Sequence, residues 1–395
     1  MTDRLDVAVP GTEPSGPAAA TGATATTTAT ATDAVAAVDA VAEVARAVLY
    51  EGYLLWPYRA SALKNSRRWT LGGVHPRACA ATGDSSVMRT QVLVETGAGD
   101  GAGGSAGDRA ADRAGDTVDV RVCFLHAVTL EVGRLTGDGL VPAGELTVAG
   151  RRYLAREEAT ERCVAANGLD LDELTRRPAV LDIDVPEGRQ VEWLTEPGGA
   201  CAGALTRSWC GLRGRVEIRA ERLAAGGPGR SGLLRLTVEV ANTTDWAGGS
   251  RTEAMRRTFA SAHTILHSPG GRFVSLTDPP ERLRREAQDC ENVGTWPVLA
   301  GPEGDRHTVL SSPIILYDHP RIAPESPGDL FDATEIDQLL TLSTLCLTEE
   351  EQREIRDGDP KAAEILDRCA SLPPERLMRL HGAVREFRPI GGPGT

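Results

Sequence analysis

Lysine is almost missing from this 395-residue chain: Lys64 and Lys361 are the two present, and every other basic residue is arginine. Aromatic side chains are scarce at 4%. A packed interior must therefore lean on Leu, Val, Ala and Ile. The eight cysteines (79, 123, 163, 201, 210, 290, 346 and 369) contain no CxxC pair, which excludes paired zinc knuckles. Spread over so long a chain, they do not form a small secreted disulfide framework, and free thiols in a reducing cytoplasm are expected. No GxxxxGK[ST] loop, GxSxG elbow or HExxH helix occurs, so phosphate-loop, α/β-hydrolase and zincin chemistry have no sequence support.

Positive charge is also in deficit. The net charge of −13 argues against nonspecific nucleic-acid binding, which depends on neutralising phosphates. It equally disfavours anionic membrane surfaces. The doublets Arg67-Arg68, Arg256-Arg257 and Arg284-Arg285 read first as solvated faces. No secretory pattern opens the chain, and the apolar stretch 34–49 is broken by Asp39, Glu43 and Arg46, so no membrane span is expected. Abundant Arg, Ala and Gly fit a high-GC genome.

What is present organises into three regions. Residues 1–32 are Ala, Thr, Gly and Pro with few large side chains, and a disordered tail is expected there. Residues 33–331 read as a strand-rich body with a flexible, Gly-rich insertion over 97–116. Within it, Asp33 is a candidate cap for a helix whose stripe is Val38, Val41, Ala42, Ala45, Val48 and Leu49. Strict alternation from Val118 to Val132 predicts one long strand, or two joined by a bulge. Leu181 to Val185 predicts another strand. Val216 to Ile218 and Leu234 to Val240 predict an antiparallel pair with one wet face. Phe259–Leu266, Arg272–Leu276 and Thr308–Leu316 add more strands. Region 332–388 turns helical, with segments near 333–341, 349–357, 360–370 and 374–386. Capping boxes at Asp332/Glu335 and Thr348/Glu351 and the Asp359-Pro360 start mark them. The fold class expected is α+β: an antiparallel β-sandwich-like body with an N-terminal helix and a C-terminal cluster of short helices.

Two segments concentrate the chemistry. Residues 50–69 carry Tyr50, Tyr53, Trp56, Tyr58 and Trp69, interleaved with Arg59, Lys64, Arg67 and Arg68. Aromatics mixed with arginine suit a partner-binding surface, so Tyr53, Trp56, Tyr58, Arg59, Arg67 and Arg68 are the candidate contacts. Residues 317–335 supply Asp318, His319, Glu325, Asp329, Asp332 and Glu335 in a loop stiffened by prolines. His319 with Glu325 and Asp329 is a candidate site for a divalent metal. His263 and His267 share one face of a predicted strand and form a second candidate metal pair, with His307 or Cys290 completing it. His126 reads as a core histidine satisfied by a backbone carbonyl. Asp289 and Glu291 should raise the pKa of Cys290 and argue against a thiolate there. Gly294 to Val298 reads as a tight turn anchored by a buried Trp296. Beyond a possible divalent metal, no cofactor is expected.

The stretches LYEGYLLWPYRASALKN (49–65), SSPIILYDHPRIAPESPGDLFDATEID (311–337) and DPKAAEILDR (359–368) resemble a family of actinobacterial proteins encoded near uptake NiFe-hydrogenase genes. The resemblance covers most of residues 40–386, excluding the 97–116 insertion. It brings no assigned catalytic residues. It implies a context, hydrogenase assembly, maturation or association, and hence an accessory protein whose expected partner is another protein such as a hydrogenase subunit. The rival expectation is a metal-dependent enzyme or metal-handling protein built on His319 and nearby carboxylates.

Overall fold

The computed structural model describes residues 28–49, 72–97, 116–137, 139–224 and 232–321, with the single positions 349, 352, 353, 356, 366 and 367 beyond them. Antiparallel strands dominate. In chain order they are β1 (Gly73–Val74), β2 (Val87–Glu95), β3 (Thr117–Thr136), β4 (Gly139–Ala143), β5 (Glu145–Val148), β6 (Arg151–Leu154), β7 (Arg156–Asp170), β8 (Ala179–Val185), β9 (Gly188–Thr195), β10 (Cys201–Trp209), β11 (Leu212–Leu223), β12 (Leu233–Asn242), β13 (Phe259–His267), β14 (Arg272–Phe273), β15 (Trp296–Leu299) and β16 (Thr308–Ser312). The larger sheet runs β15-β16-β13-β3-β10-β9, with β7 and β4 on the other flank of β3 and β1 on β13. The second sheet runs β14-β2-β12-β11-β8, and β5–β6 forms a separate hairpin.

The length of β3 organises the molecule. One edge pairs first with β13 and then with β10; the opposite edge pairs with β7 and then β4. On one face Val118, Val120, Val122 and Phe124 share a core with Val216, Ile218, Leu234 and Leu236 of the second sheet. Further along that face, Leu130 and Val132 pack with Leu146 and Val148 of the β5–β6 hairpin and with Leu194 and Leu205. The alternation read over 118–132 is thus one strand covered by two layers in succession, with an irregularity near its start, between Val118 and Val120.

The helix α1 (Thr28–Leu49) lies on the other face of the sheet. Val38, Val41, Ala42, Ala45 and Leu49 bury against Ile265, Val298 and Leu310, so the helical stripe holds. Its start does not. Asp33 lies inside the helix rather than capping it, and Thr28–Thr32, expected to be part of the tail, is helical. Alanine propagates a helix without large side chains to bury, which a reading based on bulk alone misses.

Other expectations need correction. Strand β14 covers Arg272–Phe273 and not Arg272–Leu276. Strand β16 stops at Ser312, because Pro313 has no N–H for the ladder. The pair β11–β12 forms as expected, but β12 is covered on both sides, with Leu233 joining Leu93, Val274 and Leu283 in a separate cluster. Trp296 is 46% exposed; the turn after Gly294 is anchored instead by buried Thr295, whose hydroxyl meets Ser311 Oγ at 2.7 Å. Glu349, Gln352, Arg353 and Arg356 are helical, as are Leu366 and Asp367, inside two of the four expected C-terminal helices. The helices expected near 333–341 and 374–386, and nearly all of the 97–116 insertion, lie outside the described residues. No described helix is long and apolar enough to cross a membrane.

Candidate functional site

Cross-strand partners in an antiparallel sheet point to the same face. The odd-numbered residues of β3 therefore mark out the outer face of the larger sheet, row by row. Arg121 comes first and meets Asp39 of α1 at 3.3 Å. Next, Cys123 is flanked by His263 on β13 and Cys163 on β7. Thr129 stands between Ser208 of β10, itself paired with Arg189 of β9, and Glu157 of β7. The last rows carry Glu131–Thr206–Val191 and Gly133–Ala204–Trp193, with Leu140 leaning over Gly133.

The two halves of this face are covered differently. Helix α1 lies over β13 and β16 and reaches the first half of β3. Over the second half, Trp193 is 56% exposed, and Val191, Leu135 and Leu140 are exposed as well. Strand β9 is an edge of the sheet, with β10 as its partner among the described residues. Between the halves lies an open pocket of about 520 Å³ floored by Ala127 and Thr129. Ser208, Trp209, Arg189 and Arg256 line its sides. Arg256 is occupied by Glu157, at 3.2 Å.

Under the rim of α1 lies a feature that contradicts the expectation of free thiols. Cys123 and Cys163 are joined by a disulfide. They are 40 residues apart, and the β3–β7 register sets them directly opposite, so no local spacing could announce the pair. Cys123 is 3% exposed, whereas Cys163 reaches solvent. The Glu161 carboxylate lies within 4.8 Å of both sulfurs and accepts from Arg46 of α1 at 3.2 Å. Cys79, Cys201, Cys210 and Cys290 are free. The expectation of free thiols therefore holds for four of the six described cysteines and fails for the Cys123–Cys163 pair.

The histidine pair is engaged separately. His263 Nδ1 lies 3.0 Å from the Ser261 carbonyl, and His267 Nδ1 lies 3.1 Å from Thr308 Oγ1. The i, i+4 spacing keeps both on one face, but on a strand it separates them by about 13 Å, too far to share an ion. Burial lowers the pKa of both rings. His307 instead faces the carbonyls of Ser268 and Gly271. Cys290 packs among Leu93, Val274 and Ala287. Its pKa is raised as expected, though burial is the main cause, with Arg235 opposing and Asp289 adding.

In the proline-stiffened loop, Asp318 is a clamp. Its carboxylate accepts from Leu299 N and Thr277 Oγ1, both at 2.8 Å, and from Ser275 Oγ. His319, at φ 57°, donates its backbone N–H to the Leu299 carbonyl at 2.7 Å, and its Nδ1 is buried without a hydrogen-bond partner. Glu325 and Asp329 lie outside the described residues, as do Tyr53, Trp56, Tyr58, Arg59, Arg67 and Arg68. The side chains that open this stretch, Ile315 and Tyr317, are exposed, Tyr317 at 90%.

His126 departs from expectation. It is buried on the core face of β3, yet neither ring nitrogen makes a hydrogen bond of acceptable geometry. Burial pushes its pKa down to about 4, nearby Arg162 adds to this, and the Cys210 backbone opposes it. Among the described residues, the one group of three metal-ligating side chains within mutual reach is Cys123, Glu161 and Cys163. Sequence reasoning passed over Glu161 and over the exposed apolar side chains of β4 and β9, because both strands are short and mostly exposed and lack the sustained apolar alternation that reveals a half-buried strand.

No protein-family model matches the chain, and no curated protein matches it either.

Proposed function

We propose that the protein is a non-catalytic accessory protein that holds a segment of a partner polypeptide on the half of the sheet's outer face away from α1. The scaffold for this role is an α+β, sandwich-like body. The observation that carries the reading is the run Val191, Trp193, Leu135 and Leu140, four exposed apolar side chains on one face beside the edge strand β9. Exposed large apolar side chains grouped on one face mark contact surfaces, and tryptophan is enriched at binding hot spots. An unpaired strand edge offers backbone N–H and C=O groups to an extended peptide. Among the described candidates for chemistry, Asp318 is taken up by three structural hydrogen bonds, and His263 and His267 are engaged separately.

The family resemblance in residues 49–65, 311–337 and 359–368 supports a hydrogenase subunit or assembly intermediate as the partner. The aromatic and arginine side chains of 50–69, and the segment from Tyr317 onward, are proposed as further contacts; Tyr317 leads into Asp318, which is held to Leu299 of β15, at the opposite edge of the sheet from β9. The test is co-purification of tagged full-length protein from its native cells. Hydrogenase polypeptides should be recovered with the wild type and lost with Trp193→Glu. Recovery of none with the wild type contradicts the reading.

A further inference from the structure

The geometry points to a second site, independent of the partner surface: a redox-gated site for a thiophilic divalent cation of the zinc class, formed by Cys123, Cys163 and Glu161 once the disulfide is reduced. Three observations carry it. First, the two sulfurs and a Glu161 carboxylate oxygen already lie within 4.8 Å of one another. Tetrahedral zinc with bonds of about 2.0–2.3 Å holds its ligand atoms roughly 3.4–3.8 Å apart, so small side-chain rotations suffice. Second, the ligands sit on adjacent paired strands, β3 and β7, whose ladder fixes their spacing whether or not the sulfurs are bonded. Third, the site is gated on one side. Cys123 is buried, while Cys163 is exposed and can be reached by an attacking thiolate.

The chemistry balances. A dithiol reductant delivers two electrons and two protons, opening the S–S bond to two thiols and leaving as its own cyclic disulfide. The cation then displaces both thiol protons and binds the thiolates. In reverse, hydrogen peroxide takes two electrons from the thiolates. Its O–O bond breaks, two protons from solvent complete two water molecules, the S–S bond re-forms and the cation is released. Thiolates select zinc over magnesium or calcium, and the carboxylate tolerates it. Glu161 already meets Arg46 of α1, so the ligand carboxylate is also tied to the helix.

The experiment uses the full chain. Protein is either reduced with dithiothreitol and desalted without oxygen, or left oxidised. Each sample is given zinc chloride, desalted again and assayed for metal. Cobalt(II) serves as a parallel spectroscopic probe through its thiolate charge-transfer absorption. The reduced protein should retain about one zinc per chain and the oxidised protein less than about 0.1. Cys163→Ser replaces an exposed sulfur, and Glu161→Gln keeps the shape of the side chain; each should weaken zinc binding at least about tenfold. The proposal is overturned if the reduced wild type retains less than about 0.1 zinc per chain. It is overturned equally if the oxidised protein retains as much as the reduced one, or if Cys163→Ser binds zinc as well as wild type. The wild-type comparison needs no variant to fold.

Discussion

At position 126 a histidine occupies a place that the alternation of β3 reserves for an apolar side chain. Its ring is fully buried, neither nitrogen makes a hydrogen bond of acceptable geometry, and its pKa is pushed down to about 4. Unfolded, the same ring titrates near 6.5, so between pH 6.5 and about 4 the unfolded chain binds the extra proton. The stability is therefore complete above pH 6.5 and is lost as the pH falls toward 4, by up to about 3 kcal/mol from this ring alone. His263 and His267, whose pKa values are also lowered, act in the same direction. Urea unfolding across pH 7 to 4 should show a falling midpoint, and His126→Leu should flatten part of that fall. It should also raise stability at pH 7 by roughly 1–3 kcal/mol, since two unsatisfied buried nitrogens disappear. An unchanged pH slope in the variant would show that the ring is solvated. Asp318 is the opposite case, a carboxylate with all its work in plain view. Asp318→Ala should cost about 1–3 kcal/mol in the same assay, because Leu299 N and the Thr277 and Ser275 hydroxyls lose their acceptor. At this scale the sequence shows which residues are chemically capable, but not which are already committed. The partners of Asp318 lie 19 to 43 positions away.

Among the elements, α1 and β3 were legible because their signals are local. A stripe at helical spacing and an alternation of period two need no knowledge of the rest of the chain. Register is another matter. The pairing of β3 with β7 sets Cys123 against Cys163, and nothing near either cysteine indicates it. The same holds for Gly203. A Cβ there would meet the Gly133 carbonyl oxygen and the Leu146 side chain inside van der Waals contact, so the β3–β10 pairing admits only glycine at that point. Gly203→Ala should destabilise by about 1–3 kcal/mol or more, read by thermal or urea unfolding; a neutral outcome would mean that β10 sits further from β3. The disulfide closes a loop of 40 residues, and reducing it should cost roughly 2–4 kcal/mol, measured by unfolding with and without dithiothreitol.

For the whole molecule, the distribution of cover matters more than any single side chain. One face of the larger sheet is filled by the second sheet and the β5–β6 hairpin. Among the described residues, α1 lies over one half of the other face, and the second half carries the exposed side chains Trp193, Val191, Leu135 and Leu140. The partner surface read from the sequence, 50–69, falls outside the described residues, while the face seen here was hidden in strands whose exposed pattern resembles loop. This half is the surface proposed to bind a partner polypeptide. The most direct measurement compares what tagged wild type and the double variant Trp193→Glu/Leu140→Glu recover from native cells, with urea midpoints confirming equal folding. The account expects hydrogenase polypeptides with the wild type and at least about a tenfold loss with the variant. Equal recovery by both proteins, or none by either, would contradict it.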